Sequence, residues 1–132
     1  MASTAVAPAT RAAALLRRSR YEILPVEGIE ELVLASVPRD VTLTVTASPT
    51  KGLEPTIELA GSLTRHGYGV VPHVSARLVA DMVELEEIVA RLREGGVRDV
   101  FVVAGDAEEP RGSFQGAIDL LEALDGLGRP FP

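Results

Sequence analysis

Along the 132-residue chain, short β-branched runs with a hydrophobic repeat of two give way to longer stretches with a repeat of three to four, and this exchange occurs four times. The pattern predicts successive β/α units. The first strand is expected at Arg20–Leu24, stopped by Pro25, with a short helix over Ile29–Ser36 that Pro38 prevents from continuing. The second strand, Val41–Ala47, sets Val41, Leu43 and Val45 against Thr42, Thr44 and Thr46, which makes one face greasy and the other hydroxyl-lined. Its helix, Leu53–Arg65, carries Leu53, Ile57, Ala60 and Leu63 on one side and ends at Gly67, suited to a left-handed cap.

The third strand, Tyr68–Val74, leads to a helix capped by Asp81. Met82, Leu85, Ile88, Val89 and Leu92 keep helical spacing there, and Gly95 and Gly96 end it. The fourth strand, Arg98–Ala104, is nearly all apolar, as a parallel strand buried on both faces would be, and Gly105-Asp106 turns out of it. The fourth helix, Ser113–Leu127, is expected to bury Phe114, Ala117, Ile118, Leu121 and Leu124.

Regular alternation of strands and helices requires parallel neighbours joined by right-handed crossovers, in either an open doubly wound sheet or a barrel. No G-x-G-x-x-G turn follows the first strand and no Walker-type loop occurs, which favours the barrel. The fold class is therefore read as α/β, comprising the first four β/α units of a (β/α)8 TIM-type barrel. A complete barrel takes roughly 200–250 residues, so the chain is read as truncated. Residues 1–19 are expected to form a flexible tail with a short helix over Arg11–Arg18, and residues 20–132 the partial barrel. A half-barrel has two free sheet edges and should dimerise or aggregate unless its other half is supplied.

Charge and composition narrow the partners. The net charge of −6, with no aromatic and basic stripe to offset it, argues against nucleic acid. The absence of cysteine excludes disulfides, thiolate metal sites and a cysteine nucleophile. Apolar runs fall short of the roughly 18 residues that a membrane helix needs, so a soluble, cytoplasmic protein with no membrane partner is expected. Met1–Arg20 is alanine-rich, holds Arg11, Arg17, Arg18 and Arg20 and has no acid. It is either a transit-like leader or a frayed tail running into the short helix.

In β/α barrels, reactive groups stand at the carboxyl ends of the strands. Strand one delivers Glu22, strand two Thr44 and Thr46, strand three His73, and the turn after strand four Asp106. Glu22 has two readings: a carboxyl kept protonated among Tyr21, Ile23 and Leu24 for use as a general acid, or a strand glutamate facing solvent or paired with Arg20. His73 is either a ligand-orienting ring or a hydrogen-bonded structural residue, and Asp106 either a site carboxylate or a turn residue. Arg77, Lys51 and Arg111 lie on successive loops and could meet an anion, or be solvated loop charges. No metal site is expected, since His66 lies near a helix end and no second histidine has ligand spacing.

In order, Tyr21-Glu22-Ile23-Leu24-Pro25, Val41-Thr42-Leu43-Thr44-Val45-Thr46, Pro72-His73-Val74-Ser75-Ala76-Arg77 and Val102-Val103-Ala104-Gly105-Asp106 resemble the first four strand ends of the methylenetetrahydrofolate reductase family. The resemblance spans about Arg20 to Leu127. It implies a (β/α)8 flavoprotein oxidoreductase of one-carbon metabolism and methionine biosynthesis that reduces 5,10-methylenetetrahydrofolate to 5-methyltetrahydrofolate. FAD would be the cofactor, NADH or NADPH the hydride donor and a folate the substrate, in a homo-oligomer at full length. It further implies Glu22 as the catalytic general acid. His73, Thr44 or Thr46, and Asp106 would then lie by the cofactor, with Arg77 as a substitute anchor.

Two positions depart from the family pattern: Ala104 stands where an arginine that helps hold FAD is common, and Ile23 where an aromatic residue is typical. The loss at Ala104 fits a second expectation, a flavin-independent, tetrahydrofolate-dependent methyltransferase or O-demethylase. A third is a non-catalytic half-barrel that assembles with a partner.

Overall fold

The structure, a computed structural model, describes residues 8–132. The opening part of the transit-like stretch, residues 1–7, lies outside the described residues. In chain order the elements are α1 (Pro8–Arg17), β1 (Arg20–Ile23), α2 (Ile29–Ser36), β2 (Thr42–Val45), α3 (Glu54–Arg65) and β3 (Val70–Ser75). A single 3-10 turn (Ala76–Leu78) then leads to α4 (Met82–Glu94), β4 (Phe101–Val103) and α5 (Ala117–Gly126). Among the described residues, no helix is long and apolar enough to cross a membrane.

All four strands form one parallel sheet in the order β1-β2-β3-β4. The predicted α/β class with a parallel sheet is thus borne out. Right-handed crossovers between strands taken in sequence put their helices over one face, whereas a doubly wound sheet reverses its order at a switch point. Burial follows this division. Ile23, Leu43, Val45, Val70, Pro72 and Val74 share one side of the register and are buried, Leu43 and Val45 completely. Arg20, Glu22, Thr42, Thr44, His73 and Phe101 share the other side and retain access to solvent, while Val71 and Ser75 on that side are buried.

The predicted apolar face of α3 is realised in full, with Leu53, Ile57, Ala60 and Leu63 all in the core. Each fully buried leucine contributes about 1.5–3 kcal/mol. The helix ends as its sequence predicts: Gly67 takes φ 92°, and the Tyr68 amide reaches back to the Leu63 carbonyl at 3.2 Å. At the start of α4, Asp81 accepts a hydrogen bond from the Glu84 amide at 2.9 Å, and the Glu84 carboxylate accepts one from the Ala80 amide at 2.5 Å.

Two expectations need correction. The fourth strand is shorter than the predicted Arg98–Ala104, because β3 pairs with β2 through Val70–Pro72 and with β4 only through His73–Ser75. The handover falls at Pro72, which has no N–H to give, and Arg98–Val100 lie ahead of it with no partner strand. The fourth helix begins at Ala117 rather than Ser113, and it buries Leu120 and Leu124 while leaving Ile118 66% and Leu121 48% exposed. Two apolar stripes run along α5, and only one meets the body of the protein.

Candidate functional site

Alternation along parallel strands carries one side chain from each to a common row on the open face. Glu22 pairs in register with Thr44, Thr44 with Val71, and His73 with Phe101. Glu22 Oε2 lies 3.8 Å from His73 Nε2, so the two groups meet across the intervening strand β2. The His73 ring rests against Phe101, with centroids 5.0 Å apart and planes inclined at 59°. Glu22 and Thr44 thus share one row with Val71, and His73 and Phe101 form the next row two residues further along β3, so a carboxylate, a hydroxyl, an imidazole and an aromatic ring occupy adjoining rows of the open face.

Of the two readings of Glu22, the surroundings match the strand glutamate that faces solvent rather than the carboxyl held among apolar neighbours. Tyr21 and Ile23 point to the opposite face, and the carboxylate side chain is 62% exposed, against 14% for His73. Its partner is His73 rather than Arg20. A carboxylate and an imidazole at this separation are too far apart for a direct hydrogen bond, but both can reach a polar group placed between them.

Thr46 lies just past β2, where its backbone knots three elements together. Its amide donates to the Ile23 carbonyl at 3.0 Å, and its own carbonyl accepts from the fully buried Thr56 hydroxyl at 2.8 Å. Asp106 is exposed in the loop after β4, and no hydrogen bond or ion pair joins it to the Glu22–His73 pair among the described residues. The turn that carries it is pressed onto the end of β3: Gly105 has φ 94°, and a Cβ there would meet the Ser75 side chain at 3.0 Å.

Arg77 holds that same loop. Its guanidinium donates to the carbonyls of Ala107 at 2.7 Å, Gln115 at 3.2 Å and Glu108, and its backbone amide donates to the Ala104 carbonyl at 3.0 Å. Three of its five N–H donors are thus committed to loop backbone. Lys51 and Arg111 belong to a different place, a groove of about 190 Å³ shared with α3 and α4 side chains, where Arg111 bonds to Glu84 at 3.1 Å. The three loop cations do not converge on the Glu22 row.

Phe101 is the site residue that sequence reading passed over. Its part depends on the β3–β4 register, which no spacing within either strand reveals. No protein-family model matches the chain.

Proposed function

We propose that this sheet is half of a (β/α)8 TIM-type barrel and that the chain represents the N-terminal half of a methylenetetrahydrofolate reductase-like flavoenzyme. The observation that carries the reading is the Glu22–His73 pair on the open face, 3.8 Å apart and flanked by Thr44 and Phe101. Sequential strand order with one buried face supports the barrel, and the polar row supports its lumen as the site.

In this reading Glu22 is the proton donor to the folate ring nitrogen, and His73 flanks it from β3 as a second polar contact for the substrate or cofactor. Thr44 and His73 supply donors, and Phe101 an apolar edge, suited to a flavin ring. FAD, when bound, supplies the hydride. The same residues offer no free cation for a diphosphate, since Ala104 is uncharged and Arg77 is engaged by its loop. That end of the cofactor falls to the half of the barrel beyond these four units, and the 132 residues alone are expected to be inactive.

The deciding experiment uses the complete barrel. Glu22→Gln abolishes folate reduction while reduction of the flavin by nicotinamide continues. Equal loss of both half-reactions would remove Glu22 from the role of general acid. Ala104 favours a second reading, a flavin-independent folate methyltransferase, for which the purified barrel is colourless.

A further inference from the structure

The backbone of Thr46 continues the β1–β2 ladder for half a step and then loses its partner. Parallel pairing sets Ile23 against Val45, so Thr46 comes opposite Leu24. In such a ladder a residue donates its amide to the residue before its opposite number and accepts from the residue after it. Thr46 obeys the first half: its amide donates to the Ile23 carbonyl at 3.0 Å. The second half calls for the amide of residue 25, and residue 25 is proline, which has none. The chain turns away there, with the Val26 amide folded back on the Leu24 carbonyl at 2.8 Å.

The open rung is filled by Thr56, in the first turn of α3. Its hydroxyl donates to the Thr46 carbonyl at 2.8 Å, and the residue is completely buried. A threonine within a helix can turn its hydroxyl back on the carbonyl four residues earlier, as Thr64 of the same helix does with Ala60 at 2.7 Å. Thr56 gives its hydroxyl to the sheet instead. Thr46 is thereby held at its amide by β1 and at its carbonyl by α3.

The hold matters because of where Thr46 stands. Val45 pairs with Pro72, so Thr46 comes level with His73, which is itself paired with Phe101. Val45 is fully buried, and alternation turns Thr46 to the open face, where it is half-buried. We infer that Thr56 is a positioning residue for the Glu22–His73 site. By supplying the hydrogen bond that Pro25 lacks, it keeps Thr46 extended and its hydroxyl in the row of His73 and Phe101, while Thr56 itself touches no ligand. The bearing on a ligand rests on the proposed function; the hold on the Thr46 backbone does not.

Two measurements test the inference. The first is amide exchange in the 132-residue chain, read at Thr46 against Leu43, whose amide donates to the Gly69 carbonyl within the sheet. Thr56→Val keeps the shape and removes the hydroxyl, so it should speed exchange at Thr46 roughly tenfold relative to Leu43, and Thr56→Ser should leave it near the parent. Circular dichroism confirms that each variant is folded, and Thr56→Ala takes the place of valine if valine prevents folding. The second is flavin binding to the complete barrel. Thr46→Val and Thr56→Val should each raise the dissociation constant for FAD roughly tenfold, and the double variant should raise it no further, because both changes remove the same contact. Unchanged relative exchange at Thr46, a serine variant that behaves like valine, or additive losses in the double variant would each overturn the inference. A parent barrel that binds no flavin overturns the proposed function instead, and exchange at Thr46 still decides the place of Thr56.

Discussion

The Arg77 guanidinium donates to the Ala107 carbonyl at 2.7 Å, so the turn that ends β3 physically holds the loop that follows β4. Backbone reinforces the tie from both sides, with the Arg77 amide on the Ala104 carbonyl and the Arg111 amide on the Arg77 carbonyl at 2.9 Å. Hydrogen bonds to a charged group are each worth about 1.5–3 kcal/mol, less where solvent reaches them. Arg77→Ala should therefore destabilise the protein by about 2–3 kcal/mol in urea unfolding. Arg77→Lys should recover little, because one ammonium cannot present the planar fork. Hydrogen exchange should quicken across Ala107–Gln115, and an unchanged exchange pattern would show that the loop does not depend on Arg77.

The same loop meets the protein again at Gly112, where the restriction is space. A Cβ built on Gly112 would lie 1.7 Å from the Ala80 carbonyl oxygen, well inside contact distance with backbone that cannot turn aside. Gly112→Ala must displace either the loop or the start of α4, and it should cost about 3 kcal/mol. Gly116 supplies the control, since it has extended backbone and nothing within 4 Å of an added Cβ. Gly116→Ala is expected to lie within about 0.5 kcal/mol of the parent. Similar midpoints for the two variants in thermal unfolding would sink the steric account.

Tyr68 is a buried strut that joins the lead-in to β3 to the end of α2. Its hydroxyl lies 2.6 Å from the Val37 carbonyl and 3.0 Å from that of Val33, and it accepts a hydrogen bond from Arg39. The Arg39 guanidinium also lies 4.3 Å from the ring centre. Tyr68→Phe preserves the packing and strips the hydroxyl from two carbonyls that end a helix, so a loss of about 1–2 kcal/mol is expected. Arg39→Ala should cost less in the parent and almost nothing further in the Tyr68→Phe background; equal costs in both backgrounds would mean that the two side chains act independently.

What the sequence made legible was local and periodic. The bounds of α2, the buried face of α3 and the Asp81 cap all follow from spacing within about one turn, and each appears where it was expected. Relations between strands were not legible in that way. The chain neighbours of Glu22 leave its environment open between apolar and solvent-facing, because in a strand those neighbours face the other side, and its partner His73 lies two strands away. Arg77 looked like a free loop cation because its acceptors lie 30 or more residues further along the chain. Ile118 and Leu121 fit a helical stripe, and periodicity alone cannot distinguish the stripe that meets the core from the one that faces outward.

The ion pair between Glu54 and Arg91 gives a prediction about pH. Both Arg91 amino groups reach the Glu54 carboxylate, at 2.7 Å and 2.5 Å, which ties the start of α3 to α4. The hydrogen bonds from Arg91, more than its charge, hold the Glu54 carboxyl below the usual carboxylate range against the opposing effect of burial. A carboxyl with a lowered folded-state pKa contributes stability in full above its unfolded-state value and loses it as pH falls through the folded-state value. The contribution is thus present at neutral pH and disappears on the acid side of the ordinary glutamate range. Both side chains are about half exposed, so solvent screening keeps the pair near about 0.5 kcal/mol. Glu54→Gln should lower stability by about that amount at pH 7, by less in molar salt, and by nothing in strong acid where the parent carboxylate is itself protonated. Urea unfolding of parent and variant across the acid range decides the matter, since a difference that persists undiminished at low pH would assign the effect to packing rather than to charge.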